Sequence, residues 1–175
     1  MKDHRFSTEF NAHTLTYVAG YVERKVLRTL DCHDCYTLLK KNSDKFNVSS
    51  PLLDLKDLGG LRRPCIAVNQ IVHECDKYIN FYKDRNNIFI QKNIMLRLVV
   101  AVQQIVLEKY PKIFEEFDQH VECFIQGSHR IRLIRKVCEL FLSLRCKHLA
   151  SEKKQNIGVK KVRRVMTKLV LFNGD

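Results

Sequence analysis

Apolar residues recur at three- and four-residue steps along almost the whole chain, and that period leaves little room for any fold but a helical one. Its clearest stretch is Leu15, Val18, Ala19, Val22, Val26 and Leu30, which share one helix face. Gly20 lies inside this stretch. A glycine in a helix interior costs roughly 1 kcal/mol relative to alanine, so its presence implies a second backbone packed closely against it. The helix runs on to Cys32-His33-Asp34-Cys35, and a Cys-x-x-Cys is the shortest spacing at which two thiolates hold one metal ion.

The same period predicts the remaining elements. Residues 36–41 extend the first helix by one or two turns, and Asn42-Ser43-Asp44-Lys45 reads as a loop. Ser49-Ser50-Pro51 and Gly59-Gly60 punctuate a long connection that packs through Leu52, Leu53, Leu55, Leu58 and Leu61. Pro64 sets the first turn of a second helix, whose buried stripe is Val68, Ile71, Cys75, Tyr78, Ile79 and Tyr82. A third helix, 89–110, carries a wide apolar arc (Ile94, Leu98, Ala101, Val102, Ile105, Val106) that suggests a central place. A fourth, shorter one opens at Pro111, bears Ile113, Phe114, Phe117 and Val121, and closes at Gly127. Ser128 is a fitting N-cap for a fifth. There Ile131, Ile134, Cys138, Phe141, Leu144 and His148 share one face, and Arg132, Lys136 and Lys147 share the other. The expectation is an all-α, irregular bundle of five to six helices with one long packed loop. Residues 1–150 form the helical domain, and 151–175 a basic linker with an amphipathic end.

At 175 residues one domain can bury a core without disulfides. Seven cysteines with no apolar leader after Met1-Lys2-Asp3-His4-Arg5 point to a reducing compartment. The most apolar run, 94–106, is interrupted by Arg97, Gln103 and Gln104, which argues against a membrane partner. About +10 of the net charge of +12 lies from Ser128 onward. That asymmetry suits either a polyanionic partner or solvated helix faces.

Four segments, taken in order, resemble the C-terminal region of P element-type DNA transposases, which often carry an N-terminal THAP zinc finger. They are Tyr17-Val18-Ala19-Gly20-Tyr21-Val22 leading to the Cys-x-x-Cys; Leu55-Lys56-Asp57-Leu58-Gly59-Gly60-Leu61 with Pro64; the helix opening at His129 with Arg145 and His148 near its end; and Thr167-Lys168-Leu169-Val170-Leu171-Phe172. The resemblance implies that a second pair of zinc ligands joins Cys32 and Cys35: His129 first, with His148 or Cys123 as the fourth. Two buried thiols at a helix end remain the alternative. His33, between the cysteines, points away from any metal they share. A redox role for Cys-x-x-Cys would need a βαβ context that the sequence does not display.

Two-metal phosphoryl transfer needs gathered carboxylates. In the family these belong to an upstream RNase H-like core, so no independent catalysis is expected of this region. A transposase-derived, non-catalytic DNA-associated or assembly module of the nucleus is the leading expectation, with a transposase subunit or a second copy as further partner. A part of an active transposase, completed by the RNase H-like core, and an interaction bundle with an import signal are its rivals. Phosphate contacts would come from Arg132, Lys136, Lys147, Lys160, Lys161, Arg163, Arg164 and Lys168, with no visible carrier of base readout. Lys160-Lys161-Val162-Arg163-Arg164 also suits nuclear import.

Overall fold

A computed structural model describes residues 4–45, 48, 51–56, 62–85, 94–119 and 127–148. Its regular elements are all helical, with no strand among the described residues. The helices are α1 (His4–Leu27), α2 (His33–Lys45), α3 (Pro51–Lys56), α4 (Ile66–Arg85), α5 (Ile94–Lys109) and α6 (129–148), with a 3₁₀ turn at Glu115–Asp118. The chain divides into two compact units, Met1–Leu142 and Ser143–Asp175; in the second, the described residues are the last turns of α6.

In the first unit α1 packs against α2, α3 and α4, and α4 packs in turn against α5. Ala19, Val22 and Val26 of α1 and Val68, Ile71, Val72, Cys75 and Ile79 of α4 are fully enclosed. Gly20 is the point of closest approach. A Cβ built there would lie 2.1 Å from the Arg62 carbonyl oxygen, so only glycine lets the segment before α4 cross α1.

Glu23 secures that crossing. It is fully buried, accepts hydrogen bonds from the Ser43 hydroxyl of α2, from Arg62 Nε (3.0 Å) and from the Cys65 N–H (2.7 Å), and so ties α2 and the start of α4 to α1. Its carboxylate, together with burial, pushes the Cys65 thiol far above its ordinary range, with burial the larger cause. The start of α4 therefore differs from expectation. Pro64 precedes the helix instead of opening it, and Cys65 is the N-cap, its carbonyl accepting from the Asn69 N–H.

Three other expectations are corrected. Residues 42–45, read as a loop, are the last turn of α2: Ser43 bonds back to the Leu39 carbonyl (2.9 Å) and inward to Glu23, and Asn42 donates to Glu116 (2.7 Å). Polar residues with interior partners do not end a helix. The long connection contains α3, where Pro51 holds the first helical position and Leu53 is buried but Leu55 is 84% exposed; Leu58 and Leu61 lie outside the described residues. After Pro111 comes a run of turns and a 3₁₀ turn in place of a fourth α-helix, with Phe114 in the left-handed region (φ 55°) and its ring edge-on to Phe117. Val121 lies outside the described residues.

α5 buries Leu98, Val99, Val102 and Val106 but leaves Leu96 and Val100 more than half exposed, so it is not enclosed on all sides. Glu74 of α4 joins the two helices, accepting from Lys109 Nζ (2.7 Å) and the Tyr110 hydroxyl (3.2 Å), and from Lys77 (3.2 Å). α6 opens as expected, on Ser128: its hydroxyl accepts the Ile131 N–H (3.1 Å) and donates to Asp118, while Gly127 takes φ 81°. Leu133, Ile134, Val137, Cys138, Phe141 and Leu142 are the buried face. Cys138 meets Cys75 of α4, and burial pushes the Cys75 thiol well up. No helix among the described residues is long and apolar enough to cross a membrane.

Candidate metal centre

The turn from α1 to α2 places both cysteines. α1 ends at Leu27, and Cys32 is the N-cap of α2: its carbonyl accepts the Tyr36 N–H (3.1 Å) and its sulfur accepts the Cys35 N–H (3.4 Å). An N-cap side chain and the residue at the third helical position lie side by side, so the Cys-x-x-Cys spacing brings the two sulfurs together. The backbone N–H fixes the orientation of the first. His33, between them, is exposed, as expected.

His129, in the first turn of α6, supplies the third group from the far side. Its Nδ1 lies 3.2 Å from the Cys35 sulfur, and the ligand atoms of Cys32, Cys35 and His129 are all within 4.8 Å of one another. All three residues are buried. Tetrahedral zinc bonds sulfur at about 2.3 Å and imidazole nitrogen at about 2.0–2.1 Å, which spaces neighbouring ligand atoms by roughly 3–4 Å. The trio lies in the range from which such an ion can be held, and two thiols with an imidazole are the soft-to-borderline set that zinc prefers.

The other expected ligands fare differently. His148 is exposed, not part of the buried face of α6. Cys123 lies outside the described residues.

Of the expected phosphate contacts, Arg132 is exposed and Lys136 half-buried, and both line a cavity of about 220 Å³ that also includes Cys32, Cys35 and His129. Lys147 is exposed on the last turn of α6. Lys160, Lys161, Arg163, Arg164 and Lys168 lie outside the described residues. Arg130, basic by sequence, serves the fold: its guanidinium donates to the Ile113 and Pro111 carbonyls.

Two contributors escaped the sequence reading. Asp31 lines the same cavity, with nothing in its surroundings along the chain to mark it. Glu23 did carry a signal. It sits four residues after Ala19 and three before Val26, on the apolar stripe of α1, where a carboxylate has to be matched by buried donors.

The comparisons with known proteins agree with the resemblance read from the motifs. Residues 5–151 match the family model of the C-terminal domain of DNA transposase THAP9. The chain belongs to this family. No curated protein and no solved structure matches it. The matched span contains the whole trio and the Gly20–Arg62 crossing.

Proposed function

We propose that this transposase C-terminal domain is a non-catalytic, zinc-stapled module that associates with DNA through its phosphate backbone in the nucleus. The observation that carries the reading is the buried Cys32–Cys35–His129 trio within a domain of transposase lineage. The three residues come from two helices far apart in sequence, so an ion shared by them would fasten the α1–α2 corner to α6. Binding free energy at such a site is folding free energy.

The non-catalytic reading is supported by what the buried carboxylates already do. Glu23 is committed to Ser43, Arg62 and Cys65, and Glu74 to Lys77, Lys109 and Tyr110. Asp118 caps α6. Among the described residues the one gathered set of metal-ligating groups is the Cys/His trio, whose chemistry suits structural zinc more than the hard Mg²⁺ of phosphoryl transfer.

Binding of a labelled duplex at two salt concentrations, beside a strand-cleavage assay with Mg²⁺, tests the whole proposal. DNA affinity that falls steeply with salt and no cleavage are expected. Mg²⁺-dependent cleavage by the purified chain would overturn the non-catalytic reading, and absence of binding at low salt would overturn the DNA reading.

A further inference from the structure

One stripe of α6 carries His129, Arg132, Leu133 and Lys136, spaced by three, four and seven residues. All four line the cavity of about 220 Å³, whose opposite wall is the α1–α2 turn with Thr29, Asp31, Cys32 and Cys35. The metal ligand and the two cations therefore face the same space, Arg132 about one helical turn and Lys136 about two turns beyond His129. The volume falls short of the roughly 300 Å³ at which pockets for drug-sized ligands begin. It has room for a small anionic group and its water, and Arg132 and Lys136 supply the charge such a group needs.

Resting on the DNA-associated reading above, we propose that this cavity is a metal-dependent phosphate site, which seats one phosphodiester of a DNA backbone against Arg132 and Lys136. The dependence on metal is positional. Cys32 and Cys35 belong to one wall and His129 to the other, so an ion bound by all three sets the width of the cavity and the aim of the first two turns of α6. Without it, the contact between the Cys35 sulfur and His129 Nδ1 is a far weaker tie between the walls. Two thiolates neutralise a divalent ion, so the metal itself adds little charge to attract or repel the phosphate. Coupling of this kind is reciprocal: by whatever factor metal tightens DNA binding, DNA tightens metal binding. Asp31 is the opposing charge on the rim, where it limits affinity.

The test is fluorescence anisotropy of the full chain with a labelled duplex, zinc-loaded and chelator-stripped, across a salt series, for the parent, Arg132→Gln/Lys136→Gln and Asp31→Asn. The double variant, with zinc content and helicity unchanged, is expected to bind about tenfold more weakly, with the slope of log affinity against log salt shallower by about 0.9, the share of one phosphate. Asp31→Asn should bind more tightly. Stripping zinc from the parent should weaken binding about as much as the double substitution does, and stripping it from the double variant should add little. Inorganic phosphate at constant ionic strength separates the two sources of the ligand: competition in the parent alone identifies a site that also accepts free phosphate, and no competition identifies a site for the diester. A zinc-loaded double variant that binds with the parent's affinity and slope overturns the proposal while leaving the DNA reading intact. A parent that does not bind duplex at all removes the DNA reading itself.

Discussion

Replacing Gly20 by alanine should destabilise the domain, although alanine is the better helix former. In an exposed helix the change would stabilise by roughly 1 kcal/mol. Here the new Cβ would stand 2.1 Å from the Arg62 carbonyl oxygen, more than 1 Å inside ordinary contact, and what it meets is backbone and cannot rotate away. Either α1 or residues 62–64 must move. Movement of Arg62 also disturbs its bond to Glu23 and the neighbouring Cys65 N–H bond to the same carboxylate. Overpacking of this kind costs about 1–3 kcal/mol, and a weakened buried hydrogen bond adds about 1 kcal/mol. Set against the propensity gain, the net loss is about 1–3 kcal/mol. For a domain of about 150 residues each kcal/mol is worth about 2–4 °C, so the melting temperature should fall by about 2–12 °C, with the urea midpoint lowered in step. A Gly20→Ala variant with a raised melting temperature would refute the close approach and the meaning given to the glycine.

Three further outcomes are expected. Glu23→Gln places an amide donor among groups that are themselves donors, and should cost about 3 kcal/mol in urea unfolding, near the low end for a broken buried pair because Arg62 reaches solvent; a loss below about 1 kcal/mol would contradict the role given to Glu23. Burial acts to raise the Glu74 carboxyl, but Lys109 and Lys77 outweigh it and hold it below its ordinary value of 4.5. The stability this pair contributes is therefore present above pH 4.5 and lost as the pH falls through the depressed folded value, and the difference between the parent and Glu74→Gln should narrow over that window. Replacing Lys160, Lys161, Arg163 and Arg164 by Gln should lower the salt slope of duplex binding by two or more, since each phosphate contact contributes about 0.9; an unchanged slope would assign that run to nuclear import instead.

Much of the fold could be read from periodicity because the helices carry their apolar residues at regular steps. Gly20 alone implies a crossing backbone, and residues 62–64 are that backbone. Failures came where long-range partners overrode local composition. Asn42 and Ser43 look like loop residues until Glu116 and Glu23 are brought beside them, and Pro64 looks like a helix start until Glu23 caps the next residue. In the candidate site, Cys32, Cys35 and His129 were legible from spacing and family motif. His148 shares the phase of the apolar stripe yet is exposed at the end of its helix, where phase alone does not bury a side chain. The cavity wall at Asp31 was invisible, since it is made by a turn and a helix nearly a hundred residues apart.

The central claim is that Cys32, Cys35 and His129 hold one structural zinc ion. It is tested most directly by metal analysis of the full chain purified without chelator, for the parent and for Cys32→Ser, Cys35→Ser, His129→Asn and His148→Ala. One equivalent of zinc in the parent is predicted. It should be lost in the first three variants, together with several kcal/mol of stability, and kept in His148→Ala. A well-folded parent without bound metal, or zinc that persists in His129→Asn and disappears in His148→Ala, would contradict the account.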